Sequence, residues 1–328
     1  RSSQMANVRK RIMLSSLAVL VAIAVCVAVL VVVFPRCTRA PVQVALPVTC
    51  VDGTEALQAH GELTVMTINL AHGRKVARSQ GFQSKATIRS NLQDIASVID
   101  RGGAHVVAVQ EADSRSWWNG TFDHAAYVAR EAAFPYAVVG DHVSGWGLHY
   151  GTGLLSRLEL QDPVAHTFHR SRPCFSKGFT VATVTISPMQ QVDVVAVHLD
   201  FSSHRMRVSE IEEMADALEE RLTGRPVIVM GDFNSEWIRR RSVVREFAGR
   251  LGLSTWEPES ETVVTFPDFG ARLDYILISD ELEFVSHAVL EDVVSDHLAV
   301  VATVRLRSKA APGMGTVRKM VAPPNTDG

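Results

Sequence analysis

Apolar and polar positions along this chain follow two rhythms. Short, near-continuous apolar runs at 63–68, 106–109, 153–156, 179–186, 192–198, 227–230, 273–278 and 298–306 predict buried strands. Between the first two, Ile88, Leu92, Ile95 and Ile99 recur at helical spacing, and Gly102-Gly103 stops the helix. A second helix is expected over 203–222, with Ile211, Met214, Ala215, Leu218 and Leu222 on one face. Several strands follow one another with no helix between them. The expected class is therefore α/β with mixed sheets.

One apolar run is different in kind. Residues 12–34 carry no charge, and Ser15 and Ser16 are their only strongly polar side chains. As a helix the run crosses a bilayer core of about 30 Å, whereas strands rarely exceed about ten residues. A cleaved signal has a shorter apolar stretch and small residues at its end. This one ends in Phe34-Pro35-Arg36-Cys37, so a retained single-pass transmembrane helix is expected. Arg9, Lys10 and Arg11 in the basic segment 1–11 point to a cytoplasmic N-terminus and an extracytoplasmic remainder. A linker at 35–60, a catalytic domain at 61–306 and a disordered tail at 307–328 complete the expected organisation. In an oxidising space Cys37 pairs with Cys50, or Cys50 with Cys174, or all three stay free; spacing leaves the three alternatives open.

Composition narrows the function. With 328 residues, 47% hydrophobic and only four cysteines, the chain is neither disordered nor a disulfide-built miniature. The net charge of −2 hides an uneven spread, because 61–306 holds 23 basic and 32 acidic residues, a net of −9. Such a domain does not draw duplex nucleic acid from a distance, since that attraction needs basic patches.

The chemistry-bearing residues fall at the ends of the apolar runs. Asn69 follows Thr67-Ile68, Glu111 follows Val109-Gln110, and His198 follows Val195-Ala196-Val197. Asp232 and Asn234 lie in Gly231-Asp-Phe-Asn234, Asp274 in Arg272-Leu-Asp274, and Asp296-His297 just before the last run. In layered α/β proteins successive strand ends converge on one rim, where sites form. Singly, Asn69 reads as a turn former, His198 as a core histidine and Asp274 as a partner for Arg272. Together they suit phosphate-ester hydrolysis. Asn69, Glu111 and Asp296 offer hard oxygen donors for Mg²⁺, with Mn²⁺ as a substitute. His297, Asp232, Asn234, His198 and Asp274 offer proton carriers and phosphate contacts.

This set of residues, with Gly151-Thr-Gly-Leu-Leu-Ser-Arg157 and Ser295-Asp296-His297, resembles the Mg²⁺-dependent endonuclease/exonuclease/phosphatase superfamily. The resemblance covers roughly 61–306 and implies a four-layer sandwich, two packed mixed sheets with helices outside. It also implies Glu111 as principal metal ligand with Asn69 and Asp296, and His297 as proton carrier oriented by Asp274. Asp232 would position or activate water, with Asn234 and His198 on the phosphate; the base is Asp232 or His297. The stretch from Arg170 through Cys174 to Lys177-Gly178 is similar to a Cys-x-x-Lys-Gly stretch of bacterial sphingomyelinases, and equally reads as a polar loop. Trp117-Trp118 and Trp146 suit a bilayer interface or a buried cover. With the anchor, they favour a phosphodiester in a phospholipid or sphingolipid head group. A tethered nuclease, with Arg239, Arg240, Arg241 and Arg245 on the strand, is the alternative, and a catalytically silent binding protein is a third. No protein partner is expected.

Overall fold

Side chains alternate across a strand, so a strand whose two faces are both apolar must lie inside a layered structure. In the Glu62–Asn69 strand, Leu63 and Val65 face the other sheet, while Met66 and Ile68 face the helices. The structure, a computed structural model, describes residues 42–44 and 61–307 apart from 80, 82, 170–174 and 222–223. The anchor expected at 12–34, most of the linker, the tail from 308 and Cys37, Cys50 and Cys174 lie outside them. Among the described residues no helix is long and apolar enough to cross a membrane.

In chain order the strands are β1 (Val42–Val44), β2 (Glu62–Asn69), β3 (Val106–Asp113), β4 (Tyr136–Gly145), β5 (Leu148–Ser156), β6 (Gln161–Thr167) and β7 (Gly178–Ser187). They continue as β8 (Gln190–His198), β9 (Val227–Asp232), β10 (Leu253–Thr255), β11 (Asp274–Ser279), β12 (Leu282–Val289) and β13 (Val300–Leu306). The helices are α1 (Lys85–Arg101), α2 (His124–Glu131), α3 (His204–Arg221) and α4 (Val243–Leu251). One sheet runs β1-β4-β5-β3-β2-β13-β12 and the other β10-β11-β9-β8-β7-β6. Each holds one parallel pair, β2 with β3 and β8 with β9, bridged by α1 and α3 respectively. A parallel pair needs such a crossover, whereas the antiparallel neighbours follow by hairpins or longer returns.

Three apolar clusters define the layers. Val65, Ala108, Ala196, Met230 and Ile276 pack between the sheets. Ile88, Leu92 and Ile95 of α1 cover the outer face of β2 and β3, and Ile211, Met214 and Leu218 of α3 cover that of β8 and β9. The four-layer sandwich is thus present. Ser84, Asp123 and Ser242 start α1, α2 and α4, each accepting a backbone N–H in the first turn.

The structure departs from the sequence reading in several elements. Strands β4, β6, β10 and β12 and helices α2 and α4 were not expected. Val42–Val44, in the stretch read as linker, pairs antiparallel with β4 as an edge strand. Strand β3 continues to Asp113 instead of ending at Glu111, because a bulge between Val109 and Ala112 absorbs the polar residues. Asp274 opens β11, in keeping with the run from 273; β11 runs antiparallel to β9, so its first residue lies opposite Asp232 at the same rim.

Candidate active site

The rim where β2, β3, β8 and β9 end gathers the expected residues from both sheets. Asp232 sits at the centre, buried. Its Oδ2 accepts from Asn69 Nδ2 at 3.3 Å and lies 3.5 Å from His198 Nε2 and 3.7 Å from His297 Nε2. Residues from β2, β8, β9 and the loop before β13 therefore meet at one oxygen.

Local backbone explains why. Val197 pairs with Gly231 and His198 with Asp232. A Cβ on Gly231 would lie 2.0 Å from the Val197 carbonyl oxygen, and its φ is +151°, so only glycine permits this approach. Asn234 adopts the left-handed conformation (φ +48°), its N–H donates to Asp232 Oδ1 at 2.9 Å, and its Nδ2 donates to the Leu199 carbonyl at 3.0 Å. Asn234 thus pins the turn that aims Asp232. Ser295 Oγ donates to the Asn69 carbonyl at 2.6 Å, tying the Ser295-Asp296-His297 loop to the end of β2.

His297 Nδ1 donates to Asp274 Oδ2 at 2.8 Å, and Thr265 Oγ1 donates to the same oxygen at 2.7 Å. Burial disfavours an imidazolium here, but Asp274 and then Asp232 outweigh it and raise the His297 pKa to about 10. Burial pushes the Asp232 carboxyl upward, and the charge of Asp274 adds to this against the pull of His297. Arg272, considered above as a partner for Asp274, donates instead to the carbonyls of Trp256 and Glu257.

Glu111 lives in the opposite environment. The bulge holds it in left-handed backbone (φ +48°) and turns its carboxylate to the rim. Burial works against its charge, yet His72, Lys177, Arg74 and His297 together hold its pKa below the usual value. Asp296 is ion-paired with Arg74.

Sequence reasoning missed five of these groups. His72 stands 3.3 Å from Glu111 and donates to the fully buried Asp113 at 2.7 Å. Lys177 Nζ lies 3.2 and 3.3 Å from the two ring nitrogens of His198, whose pKa is lowered by burial and then by that ammonium. Thr265 and Arg74 complete the list. Lys177-Gly178 lay in a stretch already singled out, and His72 follows Asn69 by one tight turn; Thr265 and Asp113 left no signal. Trp118 packs half-buried against His72 and Tyr150, whereas Trp117 and Trp146 are 64% and 63% exposed. Arg239 pairs with Glu236 on an exposed turn, and Arg245 donates to the carbonyls of Arg239 and Arg240.

Asn69, Glu111 and Asp296 carry oxygens of the hard kind a divalent cation takes. In this structure Asn69 Oδ1 accepts the Ala71 N–H at 2.9 Å and Asp296 is paired with Arg74, so a cation would compete with those partners. Among the described residues, the tightest His and carboxylate cluster is instead Asp232, Asp274 and His297, with ligand atoms within 4.8 Å of one another. The hydrogen bond from His297 Nδ1 to Asp274 in that cluster suits proton transfer.

Carboxylates and histidines from both sheets thus converge at one rim of a layered sandwich. The chain belongs to the Endonuclease/Exonuclease/phosphatase family, which its residues 66–297 match. Members of this family are typically divalent-metal-dependent hydrolases of phosphoesters. A sphingomyelinase of Mycobacterium bovis is 28% identical over 128 residues, 38% of this chain and 26% of that protein. The match therefore spans about a quarter of the relative's length. Among solved structures, an endonuclease/exonuclease/phosphatase from Beutenbergia cavernae superposes with TM-score 0.59 at 19% identity, covering 75% of this chain and 72% of that one. A mannosyl-6-phosphatase of Bacteroides thetaiotaomicron does so with TM-score 0.56 at 15% identity, covering 74% and 99%. These two likenesses establish the fold.

Proposed function

We propose that this chain is a Mg²⁺-dependent phosphodiesterase that releases the head group of a phospholipid or sphingolipid by in-line attack of water. The observation that carries the reading is the pair of rim carboxylates in contrasting surroundings. Glu111 is kept ionised beneath four cationic groups, while Asp232 is buried among Asn69, His198 and His297. Asn69, Glu111 and Asp296 would hold Mg²⁺, which supplies neutralisation of charge on the phosphoryl oxygens. As the water oxygen bonds phosphorus, Asp232 takes its proton and the bond from phosphorus to the lipid-backbone oxygen breaks. This leaves the phosphorylated head group and an alcohol whose oxygen takes up a proton from solvent. His297, kept in place by Asp274, donates a hydrogen bond to the phosphoryl group. Lys177, His198 and Asn234 line the phosphate's seat.

Support for a lipid substrate comes from the exposed rings of Trp117 and Trp146. Their loops are joined by the Trp117 N–H donating to the Gly147 carbonyl at 2.9 Å, beside Trp118 at the site wall. Tryptophan in that position suits a membrane interface. The apolar run at 12–34 would anchor the chain and hold the catalytic domain at an extracytoplasmic surface. The test supplies the full chain, in detergent micelles with Mg²⁺ and then EDTA, with sphingomyelin, phosphatidylcholine, phosphatidylinositol phosphates, a sugar phosphate, plasmid DNA and RNA. EDTA-sensitive release from lipid alone is expected. Nicked plasmid with intact lipid would make it a nuclease, and turnover of the sugar phosphate alone a monoesterase.

A further inference from the structure

His72 has no part in the reaction as set out above, yet the fold holds it at evident cost. It lies in the turn Ala71–Gly73, where Ala71, His72 and Gly73 have φ of +46°, +53° and +71°. Left-handed backbone costs roughly 1 kcal/mol or more for each non-glycine residue, and such strain collects at functional positions. Glu111, which His72 faces, is left-handed as well.

Every degree of freedom of the imidazole is restrained. Nδ1 donates to Asp113 Oδ2 at 2.7 Å, and the other oxygen of that buried carboxylate accepts from Trp118 Nε1 at 2.9 Å. The ring is met edge-on by Trp118 at 5.2 Å and Tyr150 at 4.8 Å. Nε2 is thereby directed at Glu111 Oε2, 3.3 Å away, leaving Glu111 Oε1 for another partner.

We propose that His72, locked by Asp113, is a positioning residue that fixes the Glu111 carboxylate in the orientation that receives a divalent cation. The inference rests on Glu111 being a metal ligand, as in the proposed function. It adds that Asp113, His72 and Glu111 form one rigid chain of contacts. Partners of this kind outside the ligand set typically alter metal affinity about tenfold to a hundredfold.

The test is Mn²⁺ binding to the full chain in detergent micelles, read by the electron paramagnetic resonance of free Mn²⁺. His72→Ala and Asp113→Asn are expected to weaken binding about tenfold or more, and His72→Gln, which restores an N–H donor, to recover most of it. Metal-free thermal midpoints identify any variant that has lost its fold, and His72→Gln keeps the test decisive if Asp113→Asn does not fold. In metal-free protein, a downfield imidazole N–H proton is expected in the wild type and absent in Asp113→Asn. Affinity in folded His72→Ala within about twofold of wild type overturns the inference alone. Nitrogen coupling to bound Mn²⁺ that vanishes in His72→Gln overturns it too, by making His72 a ligand. No Mn²⁺ binding to the wild type overturns it together with the metal-dependent reading. Mn²⁺ binding without lipid turnover overturns only the substrate.

Discussion

The two sheets present the same device at the shared rim with opposite electrostatic settings. In each, a parallel pair spanned by one helix delivers two polar residues: Asn69 and Glu111 by β2, α1 and β3, His198 and Asp232 by β8, α3 and β9. Each carboxylate faces a histidine held by a buried aspartate, His72 on Asp113 at 2.7 Å and His297 on Asp274 at 2.8 Å. Around Glu111 the added charges are cationic and hold its carboxyl down; around Asp232 burial and Asp274 push its carboxyl up. Similar crossovers thus carry two carboxyls whose pKa values are driven in opposite directions. Pairs of titratable groups driven apart in this way mark divided roles in catalysis.

Removing one member of each half should have the largest effects. Glu111→Ala and His297→Ala are each expected to cut kcat by about a hundredfold or more in steady-state hydrolysis. Asp232→Asn should lose turnover while keeping its Mn²⁺ affinity, whereas Glu111→Gln should lose that affinity. Equal metal defects in both would show that the halves do not divide the work.

A second carboxyl on the Asp232 side sharpens the point about burial. Glu210, on α3, accepts the Asp200 N–H at 2.8 Å, and burial followed by the charge of Asp200 raises its pKa to about 7. The folded value lies above the ordinary one, so its stabilising contribution is complete below about pH 4.5 and is lost as pH rises through about 7. Glu210→Gln should therefore be more stable than wild type at about pH 8, by on the order of 2 kcal/mol. That gain should vanish near pH 4.5 in urea unfolding; a gain independent of pH would refute the assignment.

Smaller effects are expected at the borders of the site. Lys177→Ala removes the ammonium shared by His198 and the field at Glu111, and should lower kcat/KM by about tenfold. Trp117→Ala combined with Trp146→Ala should lower hydrolysis of lipid presented in vesicles several-fold, about 1 kcal/mol, while hydrolysis of a short-chain soluble substrate is unchanged. An equal loss on the soluble substrate would make the tryptophans part of the pocket rather than of its surroundings.

Much of this was legible along the chain, in uneven fashion. The strands that form the centre of both sheets are apolar on both faces, and their runs stood out for that reason. Strand β6, exposed on alternate positions at a sheet edge, and the three-residue β10 carry too little pattern to be read. Asn69, His198, Asp232 and Asn234 were found because each follows a buried run. Glu111 was found for the same reason, although the bulge that aims it was invisible. Asp274 was found at the start of its run, since a rim is reached by the ends of strands running one way and the starts of those running the other.

Local apolar runs and short motifs such as Gly231-Asp-Phe-Asn234 were enough to read the family, the layered class and the residue types available for phosphoester chemistry. Which side chains meet is a property of the fold. Asn69 reaches Asp232 across 163 positions, and Arg74 reaches Asp296 across 222. His72 and Lys177 gain meaning only from partners that the fold brings beside them. Charge and burial are sums over such distant neighbours, so the carboxyl of Glu111 has its pKa lowered while that of Asp232 has it raised.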